Sequence, residues 1–372
     1  MNKLLAFLSA TLILLMMSLF VSCGHPQEDD AIVVSPDNEM EASDFIHHVE
    51  HIRLSKSDSC ILSRIDALRL SDDKISILCN RQIFIFSNKG DFISKINRLG
   101  NGNGEYNNVN DFQLYKNRIY ILSGLQKLLL EYTIDGNYVD KYNLDDKYQH
   151  FIIVDDNTII LSSEQNNDKL YNFVFYDLKK KKEICSIDKF DKNEAFTFSG
   201  FNAFLCSENE LIVGHPFDYS IYSLKKDGAD KRTIFDFNTE DHLPATKKGF
   251  YEMNEETKYK KCVRYLQTYA AVGTNQYIVY PLFGESGIKT CITRIDKEGN
   301  NRTIKVGEKI DNVYKYFFMG DYLTIKGNQI IMAADASKLL ELEKENGFSY
   351  FADNGLNAED NPILFFYEIS GE

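Results

Sequence analysis

Three histidines stand close together near the start of the chain and are the first candidates for metal binding. His47, His48 and His51 fall within the segment His47–Leu54. Histidine nitrogens are common ligands of transition metals, and on a helix this spacing could bring the three rings to one ion. The segment alternates like a β-strand, however, which would put His47 and His51 on one face and His48 on the other. We therefore expect a solvated strand edge here rather than a metal site.

Further candidate ligands are spread along the chain, and they could meet only if the fold gathers them around a common axis. Three of them are histidines: His150, His215 and His242. Three others carry side-chain oxygens and begin or lie in strands predicted below to be innermost: Asp66, Asp111 and Asn202. Carboxylate and amide oxygens bind calcium, so calcium is the one cofactor that this arrangement suggests. Asp and Asn also cap turns at strand ends, and we take that as the better interpretation.

No motif for nucleophilic or phosphate chemistry accompanies these residues. The sequence contains no Gly-x-Ser-x-Gly, and Gly284–Gly287 fits a hairpin turn rather than a strand-to-helix elbow. Gly100–Gly104 has the glycine content of a phosphate-binding loop, but no Lys-Ser/Thr pair and no helix follow it. Lys179–Lys182 fits a solvated hairpin tip. The sequence therefore predicts no catalytic residue.

Composition and charge limit the class of partner. The 372 residues are 44% hydrophobic, which suffices for a large core, and they carry a net charge of -13. The excess of acidic residues is spread along the chain, which argues against binding to a nucleic-acid backbone. We expect a monomer that does not bind nucleic acid.

The N-terminal residues carry an export signal. Residues 1–22 combine a positive start at Lys3 with an uncharged apolar run, Leu4–Val21, and end at Cys23. This pattern predicts a signal peptide whose removal leaves Cys23 lipidated, anchoring the chain to the bacterial cell envelope. A plain cleaved signal or an uncleaved membrane anchor are the alternatives. The acidic run Glu28–Asp30 is like those that accompany surface display, and we expect the outer membrane.

Residues 23–43 are polar, contain Pro36, and are interpreted as a tether between the lipid and the folded domain at 44–372. Beyond Cys23 the chain has six cysteines without Cys-x-x-Cys or metal-ligand spacing. Because several of them border apolar strands, we expect mostly free, buried thiols. They are Cys60, Cys79, Cys185, Cys206, Cys262 and Cys291.

Short β-type runs repeat along the folded domain in groups of four. The clearest group follows the glycine-rich turn Gly100–Gly104 and includes an Asp135-Gly136 hairpin. Gly136 lies 46 residues after the equivalent Gly90, and Gly228 lies two such steps further on. A fixed period of this length predicts stacked, four-stranded antiparallel sheets. The polar segment 238–266 interrupts the period and is interpreted as an insertion between the fourth and fifth sheets.

The sixth group is short of one strand. It contains Tyr314–Ile325, Gln329–Ala333 and Pro362–Ile369, separated by a helical pattern at Ala336–Glu345. The segment His47–Leu54 has no partner near it in sequence and fits the vacant position. A strand from the N-terminus that completes the last sheet would close a ring and remove the free edge. We therefore predict a six-bladed β-propeller, an all-β fold with four-stranded antiparallel blades.

Several phrases resemble a known family. The junction Gly100–Tyr106, followed by Asp111-Phe112, resembles the GxGPGEY…DF junction of six-bladed β-propeller lipoproteins of Gram-negative bacteria, relatives of the NHL-repeat propellers. The hairpins Phe86–Ile93 and Tyr132–Val139 and the ending Glu359–Leu364 are similar to the same family. Asn103 stands where that family usually has Pro. The resemblance spans nearly the whole chain after the signal and implies a lipid-anchored propeller, without assigning an activity.

Two functions fit these observations. The first is a binding or scaffold module, with loops at one end of the propeller and the 238–266 insertion forming a surface for a protein, peptide or glycan. The second is a metal-dependent hydrolase or lyase of lactonase type with its site in the central channel. Tyrosines in or near turns would suit carbohydrate stacking or protein contacts if exposed, and they would otherwise pack between blades. They are Tyr106, Tyr142, Tyr148, Tyr219, Tyr251, Tyr259 and Tyr314.

Overall fold

The structure is a computed structural model that describes residues 31–372 apart from several gaps. The gaps are residues 45, 72, 165–166, 195–200, 207–209, 216–217, 240–247, 249–251, 253–260, 286, 307–321, 370 and 372. The predicted signal peptide and Cys23 lie outside the described residues, as do His242, Tyr251, Tyr259 and Tyr314.

The described residues form six small sheets, in which β1 (Ile32–Val34) and β2 (Ile46–Arg53) precede the regular groups. Blade 1 holds β3 (Ala67–Leu70), β4 (Lys74–Cys79), β5 (Gln82–Ser87) and β6 (Phe92–Ile96). Blade 2 holds β7 (Asp111–Tyr115), β8 (Arg118–Ser123), β9 (Leu128–Thr133) and β10 (Tyr138–Asn143). Blade 3 holds β11 (His150–Ile153), β12 (Thr158–Ser162), β13 (Tyr171–Asp177) and β14 (Lys182–Lys189).

The second half of the ring is less regular. Blade 4 holds β15 (Phe204–Cys206), β16 (Ile212–Val213), β17 (Ser220–Lys225) and β18 (Gly228–Phe237). Blade 5 holds β19 (Cys262–Val263), β20 (Thr268–Val272), β21 (Asn275–Gly284), β22 (Gly287–Ile295) and β23 (Asn301–Lys305). Blade 6 holds β24 (Tyr322–Lys326), β25 (Gln329–Ala334), β26 (Ile363–Ile369) and, from the N-terminus, β2. The arrangement is the predicted six-bladed β-propeller.

Burial within a blade follows the position of the strand. All six residues of β4 are buried, because a second strand is covered by the neighbouring blade on each face. The outermost strand β6 alternates between buried or half-buried and exposed positions, since its edge and outer face meet solvent. The innermost strands β3, β7, β11, β15, β20 and β24 touch one another in series around the axis. Between the last and first of them, Lys326 Nζ donates a hydrogen bond to Leu70 O at 3.0 Å.

The predicted ring closure is confirmed. Strand β2 pairs antiparallel with β26, with Val49 opposite Tyr367 and Arg53 opposite Ile363. The pairing shifts register at His47, so a β-bulge interrupts the alternation that was expected to put His47 and His51 on one face.

The interpretation of residues 31–43 as a free tether is wrong. Strand β1 pairs in parallel with β18 as a fifth strand at the outer edge of blade 4. The chain then crosses to blade 5, where Met40 N donates to Thr303 O at 2.9 Å and Thr303 N donates to Asn38 O at 2.7 Å. Val34, Met40 and Ala42 are buried. Residues 31–44, which we call the belt, therefore follow the outer edges of blades 4 and 5 before β2 joins blade 6.

The predicted insertion at 238–266 lies largely outside the described residues. Its end is part of the fold, because β19 pairs with β21 and thus extends blade 5. The helical pattern in the last group is confirmed as α1 (Ala336–Glu345), where the Asp335 carboxylate caps the helix by accepting hydrogen bonds from Ser337 N and Lys338 N. A short helix, α2 (Tyr350–Asp353), follows it.

The two ends of the ring are unlike. At one end, which we call the loop face, the innermost strand of each blade begins. The links between blades and the segments that join the second strand of a blade to its third also lie at this end. These include 190–203, 238–261 and the helices α1 and α2. At the other end, the hairpin face, the turns within blades contain two to five residues. The long segments thus all start and finish at the loop face.

Two further findings concern the chain as a whole. Among residues that the structure describes, no helix is long and apolar enough to cross a membrane. The thiols expected to be free are so at Cys60, Cys79 and Cys185. Cys185 is half-buried, whereas Cys60, Cys79, Cys262 and Cys291 are buried.

Candidate functional site at the loop face

Two of the candidate ligands, Asp111 and His150, meet at the loop face. Asp111 is the first residue of β7 and His150 is the first residue of β11. Because neighbouring innermost strands begin at the same end of the ring, their first residues lie side by side. His150 Nδ1 lies 3.4 Å from Asp111 Oδ2.

The Asp111 carboxylate is also fixed by blade 1 and by backbone donors. Arg69 Nη2 donates to Asp111 Oδ1 at 2.6 Å, and Arg69 Nε donates to Phe112 O at 3.1 Å. Phe112 N and Phe151 N each donate to one of the two carboxylate oxygens. Asp111 thus joins the innermost strands of three blades.

Glu164, which the sequence did not single out, contacts the other side of the His150 ring. Glu164 Oε1 lies 3.3 Å from His150 Nε2 and accepts a hydrogen bond from Ala203 N of the blade 4 approach at 3.4 Å. Glu164 follows β12 at a backbone φ of 52°, a left-handed turn position that no motif marks. Arg69, Asp111, His150 and Glu164, which we call the inner polar chain, link blades 1 to 4.

Charge and burial act together on the inner polar chain. Burial opposes ionisation of Asp111, but Arg69 and His150 outweigh it and hold the pKa of that carboxyl below its usual value. Burial also disfavours an imidazolium at His150, yet Asp111 and Glu164 raise its pKa above the ordinary value. Burial raises the pKa of Glu164 to about 7. The inner polar chain can therefore hold a proton between the carboxylates of Asp111 and Glu164 near neutral pH.

Beside this chain lies a set of half-buried amides that the sequence analysis also passed over. Ser123 Oγ donates to Asn108 Oδ1 at 2.8 Å, and Gln126 Oε1 accepts hydrogen bonds from Asn107 N and Ser123 Oγ. Asn110 Nδ2 donates to Gln149 Oε1 at 2.9 Å and so connects blade 2 to blade 3. We call this set the amide shelf; its members are Asn107, Asn108, Asn110, Gln126 and Gln149.

The amide shelf presents hydrogen-bond donors. The oxygens of Gln126 and Gln149 are both occupied by neighbouring donors, which fixes the orientation of each amide. Among the described residues, neither Gln126 Nε2 nor Gln149 Nε2 donates a hydrogen bond, and both residues are partly exposed. Two amide groups held in this way suit acceptor oxygens of a polar, uncharged ligand.

The N-terminal histidines do not come together around an ion. His48 Nε2 contacts Glu50 Oε1 at 3.2 Å on the exposed outer strand. His51 packs against the rings of Tyr350 and Phe351 of α2, and burial lowers its pKa. His47, His48 and His51 are all exposed, so the expected solvated strand edge fits all three, and His51 in addition packs against α2.

The remaining oxygen candidates accept hydrogen bonds from backbone N–H groups at strand ends. Asp66 Oδ2 accepts a hydrogen bond from Asn80 N at 2.9 Å, and Asn202 Oδ1 accepts one from Phe204 N at 2.9 Å. The turn-capping interpretation therefore describes both. Within the described ranges, no three His, Cys, Asp or Glu side chains are placed to hold a metal ion. Calcium binding stays a prediction.

His215 belongs to a separate contact between blades 3 and 4. Its Nδ1 lies 3.3 Å from Asp188 Oδ2, and its ring packs edge-on against Tyr222 at 4.7 Å between centroids. Asn172 Nδ2 donates to the same Asp188 oxygen at 2.8 Å. These contacts involve β13, β14 and β17, which are third and fourth strands of their blades, and they share no residue with the inner polar chain.

The candidate tyrosines that the structure describes pack between blades rather than forming an exposed surface. Tyr106, Tyr142 and Tyr148 are buried, and Tyr219 is half-buried with its hydroxyl donating to Val263 O at 2.7 Å. At the glycine-rich junction, Tyr132 Oη donates to Gly104 O at 3.0 Å. Gly104 has a φ of +71°, and a Cβ there would lie 2.6 Å from the Tyr138 ring, so this position requires glycine. The junction joins blade 1 to blade 2, as predicted.

Comparison with known proteins places the chain in a family. No curated protein matches its sequence. A solved structure of a protein from Bacteroides fragilis NCTC 9343 is similar, with a TM-score of 0.70 and 17% identity over 91% of this chain and 99% of that one. The name of that protein describes it as inferred to be exported. A member of the DUF4221 family from Bacteroides vulgatus is similar with a TM-score of 0.55 and 11% identity over 90% and 98%. Identities this low show a shared fold alone.

One family model matches nearly the whole chain. The description "Domain of unknown function (DUF4934)" matches residues 30–368, which include the belt and all six blades. The chain therefore belongs to the DUF4934 family.

Proposed function

We propose that the protein is an exported β-propeller, anchored to the outer membrane through a lipid on Cys23, that binds a polar peptide or glycan at its loop face. The observation that carries the binding role is the amide shelf, in which two side-chain N–H groups are fixed as donors at the loop face. Gln126 Nε2 belongs to the turn between β8 and β9 of blade 2, and Gln149 Nε2 to the residue just before β11 of blade 3.

The shape of the ring supports this placement. Long segments meet the loop face, while the hairpin face carries turns of two to five residues. Segments that vary in length on a rigid scaffold are the usual carriers of binding sites, because the scaffold does not have to change to accommodate them. The segment 238–261 begins and ends at this face and is included in the proposed surface.

The chemistry of the shelf supports a neutral ligand. Side-chain amides recognise hydroxyl and carbonyl oxygens, whereas an anionic ligand would call for unpaired cations. The nearby Lys127 Nζ donates to Asp145 O, and Lys169 pairs with Asp145 and Glu183. The overall charge of -13 points the same way.

Export and lipid attachment rest on the sequence. The apolar run Leu4–Val21 ending at Cys23 has the pattern of a lipoprotein signal. The Bacteroides fragilis neighbour carries a name that assigns export, which agrees with this proposal. Metabolic labelling with a fatty acid should label the wild-type chain and should not label Cys23→Ala.

Binding is tested with the double variant Gln126→Ala/Gln149→Ala on arrays of defined glycans and peptides. We expect the wild-type chain to retain a subset of these probes and the double variant to lose at least tenfold in affinity, about 1.4 kcal/mol. Asn137→Ala is the matched control, because Asn137 is an exposed amide on the hairpin face. Equal loss in the control, or full retention in the double variant, would contradict the proposed site.

A further inference from the structure

The belt determines where the chain leaves the folded domain. Ile32 pairs with Phe235 at the outer edge of blade 4, so the residues before it depart from that edge. Val34 continues the pairing opposite Phe237 and is fully buried. The departure point is therefore at the rim of the ring, not at either of its faces.

The belt is held along its length, and this fixes the departure point. Asp37 pairs with Lys261 and Lys305, and these lysines lower its pKa. Arg302 Nη1 lies 3.1 Å from Asp44 Oδ2, and Arg302 Nη2 donates to Glu39 O at 3.1 Å. These contacts join the belt to blade 5 and oppose its release as additional tether.

The remaining link is short compared with the ring. Eight residue steps separate Cys23 from Ala31. Fully extended, they span at most about 29 Å. In a four-stranded blade the outermost and innermost strands lie about 14 Å apart, so the outer edges of two opposite blades are separated by about 28 Å plus the width of the channel. A link of this length cannot keep every rim of the ring equally close to its lipid.

We propose that the outer edge of blade 4 faces the lipid surface and that blade 1, on the opposite side of a six-bladed ring, points away from it. This inference rests on the proposed lipidation of Cys23. Both ends of the ring, including the amide shelf, then open sideways along the membrane. Val33 is 55% exposed on the belt at this rim and adds an apolar contact next to the anchor.

The sequence contains no tryptophan, so a single introduced Trp reports on one position. Lys231→Trp places it on β18, the strand of blade 4 that pairs with the belt, and Ile93→Trp places it on β6, the outermost strand of blade 1. Both positions are exposed. Each full-length lipidated variant is purified from membranes and inserted into phosphatidylcholine vesicles that contain a dansyl-labelled lipid. Energy transfer from Trp to dansyl falls steeply with their separation.

We expect transfer from Lys231→Trp to be at least twice that from Ile93→Trp, and insertion of thirty Gly/Ser residues after Asp30 to abolish the difference. Asp230→Trp replaces Lys231→Trp if the latter does not fold. Equal transfer from the two rims, or greater transfer from blade 1, would overturn the orientation while leaving the lipid anchor intact. Failure of both variants to float with the vesicles would overturn the anchor and, with it, the orientation.

Discussion

Blades 1 to 4 and blades 4 to 6 are held together in different ways. The inner polar chain joins the first four blades near the axis, through Arg69, Asp111, His150 and Glu164. The belt joins blades 4 and 5 at their outer edges through strand pairing and buried apolar residues, and β2 continues from it into blade 6. Blade 4 receives both, and its β15 and β16 are the shortest inner pair. Contacts of the belt at the outer edge of blade 4 can thus compensate for its short inner strands.

The largest expected effect comes from a charge in the belt. Val34→Asp would bury a carboxylate beside Phe235 and Phe237, where we expect the free energy of unfolding to fall by about 3–5 kcal/mol. Val33→Asp is the control, because Val33 is 55% exposed and should change stability by less than about 0.5 kcal/mol. Urea unfolding measures both. Similar losses at the two positions would show that the belt is not specifically packed.

The inner polar chain is tested by Asp111→Ala. Removing this carboxylate takes away the acceptor of Arg69 Nη2 and of two backbone N–H groups, so we expect a loss of about 3 kcal/mol. Asp156→Ala makes a matched control at the other end of the same two strands, where an exposed Asp156 pairs with Lys116. An exposed pair contributes less than about 1 kcal/mol. A smaller loss for Asp111→Ala than for Asp156→Ala would refute the role of the chain.

The third prediction concerns the pH dependence of stability, which we expect to come from the inner polar chain. The pKa of Glu164 rises from 4.5 to about 7 on folding, so the folded state binds the proton more tightly. The stability this provides is complete below about pH 4.5 and is lost as the pH rises through 7, by up to about 3 kcal/mol. The raised pKa of His150 adds a loss above pH 6.5.

Glu164→Gln should therefore flatten the dependence of Tm on pH between 4.5 and 8, because the amide stays neutral and also removes one of the charges that raise the pKa of His150. Glu359→Gln, at a side chain that is 91% exposed, should leave the profile unchanged. The opposite slope of Asp111, whose pKa is lowered, acts only below about pH 4. A profile for Glu164→Gln as steep as that of the wild type would contradict the assignment.

Much of the fold could be read from local patterns, whereas the contacts that distinguish the two halves could not. The hairpin glycines Gly90 and Gly136 fixed the repeat, and the alternation of His47–Leu54 supplied the closing strand. The belt was not predicted, because three residues that pair in parallel leave no periodic pattern in the sequence, and Pro36 beside Asp37 is typical of a linker. In the site, Asp111 and His150 were noticed separately. Their contact depends on the ring, and Glu164 stands in a turn without any motif.

The pairing of β2 with β26 affects how the chain folds. Ile46 pairs with Ile369, nearly a full chain length away, so β2 cannot complete its sheet until the last strand of the chain is available. Contacts of such sequence separation slow folding. Until they form, the edges of β2 and of the sixth blade stay open to pairing with other chains. Loss of the last ten residues should therefore produce an aggregating protein rather than a five-bladed one.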